Sequence, residues 1–365
     1  MNTTVTDARQ RAVEHQRRFE PHFAAYFDSL TSPTGGALEL PPLGGFPARA
    51  LDLLRDMSLR GGKRLRVALL HEAAALTTSR PAPGLDEAAI SIELLQTHGL
   101  VHDDIIDGSP VRRGAPSVPH TYRDDFPDRP DTALGLAVLA GDLAAFLSLR
   151  VLLTCDLPPE RAAAMAAVQA DAGATTVIGQ FLDLERDFDP VPALDLLHAV
   201  TEFKTTRYSL LAPLRLGLLA AGVDPAPYDD ELRRYSTALG IANTLRDDWL
   251  DLFGDPARVG KSLGSDIRSG RRSYAVRALL AADTLDERDR KTVETALGNP
   301  HLDDDTLDHV RAIARRNGVD RTVQADADRY ARRASVVAHS WHSRWRPEPV
   351  AFFEHLPTWT ALRDR

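Results

Sequence analysis

Along nearly the whole chain the apolar residues recur three and four positions apart, and they almost never alternate. This periodicity restricts the fold because a chain with helix signals and no strand runs can bury its apolar faces only helix against helix. Leu, Ala, Arg and Glu, all good helix formers, recur throughout. No run alternates cleanly with β-branched residues and no Asn-Gly hairpin appears. The pattern predicts helices over residues 6–30, 47–59, 63–78, 85–107, 131–155, 159–187, 193–221 and 228–253, followed by 271–283, 286–297, 304–316, 320–345 and 349–362. Proline and glycine mark the breaks at residues 31–45, 79–84, 108–130 and 254–270, and the third of these carries five prolines. No stretch reads as a domain linker and no solenoid-length repeat is present. The expectation is one all-α catalytic domain over 1–365, in which 1–45 is an N-terminal helix and a Pro/Gly-rich connection.

Composition excludes several classes of function. At 43% hydrophobic and 26% charged residues the chain is an ordinary globular protein. A net charge of -8 argues against a general nucleic-acid or anionic-membrane binder. The single cysteine, Cys155, allows no internal disulfide, which points to a reducing cytoplasm. Residues 1–20 are polar and charged, without the apolar centre of a signal peptide. The apolar run from Ala133 to Cys155 is long enough to span a bilayer, but Asp142 and Arg150 lie within it. Both are costly in hydrocarbon, so a buried helix is expected there and no membrane span.

Two acidic runs stand out, Asp103-Asp104-Ile105-Ile106-Asp107 and Asp247-Asp248-Trp249-Leu250-Asp251. Residues four apart share one helix face, about 6 Å between Cβ atoms, so Asp103 and Asp107 can point into one space, as can Asp247 and Asp251. Carboxylates at that pitch repel one another and lose hydration unless a cation lies between them. Hard oxygen ligands suit Mg²⁺, whose shell substrate phosphates commonly complete. Each run is followed by a glycine- and base-containing loop, with Arg112 and Arg113 after the first and Lys261, Arg271 and Arg272 after the second. Guanidiniums and ammoniums so placed can pair with phosphate oxygens. Gly61-Gly62-Lys63-Arg64-Leu65-Arg66 is a further basic group at an expected helix start, where Lys63 and Arg66 would share a face and free N–H groups would favour an anion. Polar residues also interrupt apolar helices at Gly179-Gln180-Phe181-Leu182-Asp183 and at Phe203-Lys204-Thr205-Thr206-Arg207-Tyr208-Ser209. Buried Asp or Lys is rare unless paired or ligand-bound. Each motif alone has a bland reading as solvated charge; their combination suggests metal-bridged diphosphate chemistry.

Taken together, these motifs closely resemble the trans-type polyprenyl (isoprenyl) diphosphate synthases, which include the farnesyl and geranylgeranyl diphosphate synthases. The likeness runs from Gly61 to Tyr274 and includes Gly-Gly-Lys-Arg, His102 before the first acidic run, Arg-Arg-Gly, Ala140-Gly141-Asp142, Gly-Gln-x-x-Asp, Lys-Thr and the second run. The resemblance implies a bundle of long helices around a central cavity, usually a homodimer. It implies a Mg²⁺-dependent transferase joining isopentenyl diphosphate to an allylic diphosphate, with three ions in the substrate complex. By the same likeness Asp103, Asp107 and Asp247 hold Mg²⁺, supported by Asp104, Asp183, Asp248 and Asp251, of which Asp183 and Asp251 are also candidate ligands. Arg112, Lys204 and Lys261 contact the allylic diphosphate; Lys63, Arg66, Gln96 and Arg113 hold that of isopentenyl diphosphate; Gln180 and Arg271 line the substrate site, and Thr205 sits near the reacting carbons.

The chain departs from the family pattern in three places. Asn243-Thr244 replaces the usual Phe-Gln, and Arg271 stands where lysine is common. His98 and Gly99 occupy the positions that commonly set product length. Their sizes favour a product of fifteen or twenty carbons, although a histidine simply packed in the core fits His98 as well. The alternatives are a terpene cyclase, which would have no use for Lys63, Arg66 and Gln96, and a weakly active modulatory subunit, against which the intact acidic motifs count.

Overall fold

Helices in this protein start and stop where the sequence places a proline, a glycine or a capping side chain. The computed structural model describes residues 5–31, 36–41, 43–255 and 263–362. Helix α1 spans Val5–Leu30, α2 Phe46–Leu59, α3 Leu65–Ala75 and α4 Leu85–Ile106. A two-residue hairpin, β1 (Val111–Arg112) and β2 (Ala115–Pro116), leads into α5 (Val118–Asp125). Then come α6 (Pro130–Leu153), α7 (Pro159–Arg186), α8 (Leu194–Val200), a π-helical segment (Thr201–Leu211) and α9 (Ala212–Ala220). Helix α10 (Asp229–Phe253) is followed by α11 (Ser265–Ser269), α12 (Tyr274–Leu280), α13 (Glu287–Ala296), α14 (Asp304–Arg316), α15 (Val319–His339) and α16 (Pro347–Ala361). Proline occupies the first turn of α2, α5 and α6, where its missing N–H is no loss. The Asp286 and Asp303 side chains cap α13 and α14, accepting from Asp289 N at 2.8 Å and Thr306 N at 2.7 Å.

The all-helical expectation holds, and most expected helices fall within two residues of those observed. Four differences have local causes. The polar segment 108–130 is not a plain loop, since it folds into the hairpin and α5, the latter started by Ser117 and Pro119. The single helix expected over 193–221 is interrupted by the π-helical segment. The helix expected from 63 begins at Leu65, because Arg64 takes a left-handed conformation (φ 44°) that ends helical geometry on its N-terminal side. Helix α12 starts three residues later than expected and the short α11 precedes it.

The chain resolves into two compact units, each with its own core. The first comprises residues 9–174 and 208–227, and the second 175–207 and 228–362 with the first few described residues. In the first, α4 is buried along most of its length and packs chiefly on α6, with α3, α5 and α9 around it. Helix α6 is, among the described residues, the one helix apolar and long enough to cross a membrane. Its Ala133, Ala137, Ala140, Gly141, Ala144 and Leu147 are buried, as a helix packed face-to-face requires. The second unit is organised by α10 against α15, with α16 packed on both and α12–α14 completing the core.

One buried polar cluster in the first unit makes stability depend on pH. Glu72 is fully buried, with Arg11 Nε at 2.8 Å and His15 Nε2 at 2.8 Å, while the His15 ring stacks on His71 at 5.0 Å. Burial, aided by His15, pushes the His71 imidazole down from 6.5 to about 4. The unfolded chain therefore binds a proton between these values that the native protein excludes, so stability falls as pH drops from 6.5 towards 4. The loss amounts to at most roughly 3 kcal/mol. Thermal denaturation across that range should show this decline, and His71→Phe should flatten it; an equal decline in the variant contradicts the assignment.

Candidate active site

In the first unit the acidic motif forms the last turn of α4. Asp107 N–H donates to Asp103 O at 2.8 Å, so the two carboxylates stand one turn apart, Asp103 half-buried and Asp107 exposed. Asp104 turns inward and is 1% exposed, gripped by Arg112 through Nε at 2.8 Å and a second, shorter contact from Nη2. Arg112 Nη2 also lies 3.5 Å from Asp103. Burial pushes the Asp104 carboxyl up; Arg112 opposes this, and Asp103 and Asp107 push it further up. The hairpin thus folds Arg112 back onto the motif, as its sequence position suggested. Arg113 turns elsewhere and donates to Gly61 O at 2.7 Å.

That contact belongs to the Gly-Gly basic turn. Gly61 and Gly62 have φ of 82° and 127°, conformations that a side chain would strain. Arg64 is structural, buried and bonded to Glu93 at 2.5 Å, Glu20 at 2.8 Å and Ser58 O at 2.6 Å. Arg66 reaches Ser209 Oγ at 2.9 Å and Tyr208 OH at 3.1 Å, and Tyr208 OH donates to Gln96 Oε1 at 2.8 Å. Arg66 and Gln96 are thereby joined in one network. Lys63 is exposed and precedes the helix, so the shared helical face expected for Lys63 and Arg66 does not exist. Burial holds the Arg113 guanidinium below its ordinary value; Glu93 opposes this, and Arg64, Arg66 and Arg112 reinforce it. Such a concentration of positive charge favours a multivalent anion.

Close packing fixes the polar segment of the second unit. Lys204, Thr205 and Thr206 lie on the π-helical turn, a distortion frequent at functional sites. A Cβ at Gly179 of α7 would lie 2.1 Å from Lys204 N, and one at Gly240 of α10 would lie 2.0 Å from Thr206 Oγ1. Glycine at 179 lets the α7 and π-helical backbones approach closely, and glycine at 240 leaves room for the Thr206 side chain. Lys204 Nζ then meets Asp183 at 2.6 Å, while Arg186 holds the other Asp183 oxygen at 2.8 Å. Burial pushes the Asp183 carboxyl up, but Lys204, Arg186 and Arg271 outweigh it and hold it below the ordinary range. Gln180 is half-buried, and its Nε2 has no hydrogen-bond partner among the described residues.

The second acidic motif ends α10. Asp247 is exposed, whereas Asp248 accepts from Tyr274 N at 2.7 Å, tying the loop that follows. Asp251 is 4% exposed, accepting from Ser265 Oγ at 2.5 Å and Asp266 N at 3.1 Å. Asp247 and Asp251 therefore do not present equal ligands to solvent; Asp251 anchors the start of α11. Burial and the neighbouring carboxylates of Asp266 and Asp247 push Asp248 up. Asp266 is pushed up to about 6 by burial and by Asp251. Crowded acids that resist ionisation are stabilised by a cation. Their donors are all carboxylate oxygens, which fit Mg²⁺. Asn243 and Thr244 are half-buried one turn before the motif, with the Thr244 hydroxyl donating back to Gly240 O at 3.1 Å. Lys261 lies outside the described residues.

Sequence reasoning gave no role of their own to Tyr208, Ser209 and Asp266, which lie in segments it singled out, and passed over Arg186 and Asp187. Only Arg186 and Asp187 carried a signal, three and four residues beyond Asp183 at the end of α7 and just after it. Asp187 accepts from Arg186 Nε at 3.1 Å and from Arg272 N at 2.7 Å. His98, placed at the length-setting position, is partly buried and its Nδ1 lies 3.0 Å from Gly141 O. Gly99 is partly buried beside it.

Residues 49–314 match the polyprenyl synthetase family. The chain is 30% identical to the farnesyl diphosphate synthase of Escherichia coli over 66% of this chain and 77% of that protein. It is 31% identical to the (2E,6E)-farnesyl diphosphate synthase of Mycobacterium tuberculosis over 76% of this chain and 73% of that one. The structure is similar to the geranylgeranyl pyrophosphate synthase of Corynebacterium glutamicum, with a TM-score of 0.78 at 26% identity and 99% of both chains covered. The motifs and these likenesses agree: the chain belongs to the polyprenyl synthetase family of trans-type prenyl diphosphate synthases.

Proposed function

We propose that this protein condenses isopentenyl diphosphate with an allylic diphosphate, using Mg²⁺, to give an all-trans prenyl diphosphate of fifteen to twenty carbons and free diphosphate. The observation that carries this reading is the presence, within one chain, of two acidic motifs and a separate guanidinium cluster around Arg66 and Arg113. An enzyme that only ionises one diphosphate has no use for the Arg66–Tyr208–Gln96 network and the adjacent Arg113. The C. glutamicum relative is described as complexed with isoprenyl diphosphate and magnesium.

In this reading Asp103, Asp107 and Asp247 hold the metal ions, which when bound neutralise the charge that develops on the leaving diphosphate. Asp183 and Asp251 already have both oxygens held by protein partners, and one oxygen each of Asp104 and Asp248 is held as well, so these four position the ligands around them. Arg112 and Lys204 are the movable cations: each is held by a carboxylate, and each can transfer to phosphate oxygens when substrate enters. Lys261 and Arg271 add to this group. Lys63, Arg66, Gln96 and Arg113 take the second diphosphate. Departure of the first diphosphate leaves an allylic cation, attacked by the isopentenyl double bond; the proton then lost goes to a diphosphate oxygen. No side-chain nucleophile is required.

The reading is tested by incubating the purified protein and Mg²⁺ with dimethylallyl, geranyl or farnesyl diphosphate, with and without isopentenyl diphosphate, and weighing the products. Elongation only when both are present supports it. A cyclic hydrocarbon from one substrate supports the cyclase alternative, and no product from any combination supports the modulatory subunit.

A homodimer is part of the same proposal, on an independent observation. Helix α6 leaves Leu139, Phe146 and Leu153 at seven-residue spacing 64%, 71% and 59% exposed. Such a stripe suits a second copy of the same helix. Light scattering should give twice the chain mass, and Phe146→Asp should shift it towards the monomer; a wild-type monomer contradicts the proposal.

A further inference from the structure

We infer that His98, His102 and Asp142 form a binding site for a transition-metal dication of the Zn²⁺ or Co²⁺ type, chemically distinct from the carboxylate Mg²⁺ sites. The two histidines are four residues apart on α4 and share one face, with ring centroids 4.6 Å apart. Asp142 comes from α6, which packs on that face, and its Oδ1 lies 3.2 Å from His102 Nε2. One nitrogen from each ring and one Asp142 oxygen all lie within 4.8 Å of one another. Ligands bound tetrahedrally at about 2.0–2.1 Å from zinc stand roughly 3.4 Å apart, so modest side-chain rotation closes the set.

Three further features show that the cluster is built rather than accidental. The His98 Nδ1 is seated at 3.0 Å against the Gly141 carbonyl, the backbone contact that commonly orients a ligating imidazole. Glycine at residue 141 leaves room for the ring, since a Cβ there would lie 2.4 Å from His102 Nε2. That same nitrogen is buried and makes no geometrically sound hydrogen bond despite its closeness to Asp142. A buried nitrogen without a proper partner is costly, and a metal ion would satisfy it. Two imidazoles and one carboxylate suit zinc, cobalt, nickel or copper, whereas magnesium prefers the all-oxygen acidic motifs. The ion would clamp α4 to α6 one turn before Asp103.

The inference does not depend on the proposed activity, and its test reads the metal directly. Chelator-stripped protein in saturating Mg²⁺ is titrated with Co²⁺, following the visible bands of cobalt in a low-symmetry nitrogen–oxygen site, and with Zn²⁺ by equilibrium dialysis. The expected result is one Co²⁺ per chain with these bands, and Zn²⁺ binding at least tenfold weaker in His98→Ala and in Asp142→Asn. Asp103→Asn and Asp247→Asn should retain both. Circular dichroism confirms that the variants fold, and His98→Gln serves if His98→Ala does not. Equal binding by wild type and His98 variants, or bands lost in Asp103→Asn alone, overturns the inference.

Discussion

Replacing Asp247 or Asp103 by alanine is expected to lower kcat by on the order of 10²–10³-fold or more while the protein remains folded. Asp247 is exposed and Asp103 half-buried, so neither truncation opens a cavity or strands a buried charge. What is lost is negative charge at a position where the neighbours already crowd it. Asp104→Ala should behave differently. It leaves Arg112 without the carboxylate that grips it at 2.8 Å in a buried setting. Breaking such a pair typically costs about 3–5 kcal/mol, so that variant should lose stability as well as activity. Comparing kcat with the thermal midpoint for the three variants separates ligand from scaffold. Near-normal turnover in both Asp103→Ala and Asp247→Ala would refute the metal assignment.

Gly179→Ala is expected to be the most damaging conservative change outside the acidic motifs. The added carbon would sit 2.1 Å from Lys204 N and 2.4 Å from Lys204 Cα, atoms of the backbone that cannot rotate away. Either α7 or the π-helical turn must shift, moving the Lys204 ammonium and with it Asp183. A displacement of about 1 Å at a catalytic cation costs roughly 10²-fold in rate, and the overpacking a further 1–3 kcal/mol in stability. Gly173, on the same helix, supplies the control: a Cβ there meets only Leu95 Cδ1 at 3.5 Å, an ordinary contact. Gly173→Ala should leave the rate unchanged and stabilise the helix by up to about 1 kcal/mol. Equal rates for the two variants would contradict the packing argument.

The helices were legible because burial of a helix imposes a period that survives any detail of packing. The acidic motifs were legible for a related reason, since charge in an apolar helix needs a partner wherever the helix ends up. The π-helical turn was not, because one extra residue per turn leaves the apolar pattern of residues 193–221 almost unchanged; the glycines it packs against, Gly179 and Gly240, lie elsewhere in the sequence. The helix expected to carry both Lys63 and Arg66 was not legible in detail: Gly61, Gly62 and Arg64 all take positive φ, which displaces the helix start and separates Lys63 from Arg66. Tyr208 and Ser209 lie in a polar segment that the sequence marks, but their role did not show because a tyrosine and a serine carry no charge signal; only the fold brings them to Arg66. Nor does spacing distinguish Asp247 from Asp251, which share a pattern while one is exposed and the other anchors α11.

The central claim is that the acidic motifs bind divalent cations on a substrate diphosphate. Crystals grown with Mn²⁺ and an unreactive allylic thiolodiphosphate would test it most directly, through anomalous scattering from the manganese. The account predicts manganese peaks about 2.1 Å from Asp103, Asp107 and Asp247 carboxylate oxygens, each also bonded to the diphosphate. A diphosphate bound with no manganese at either motif would contradict it.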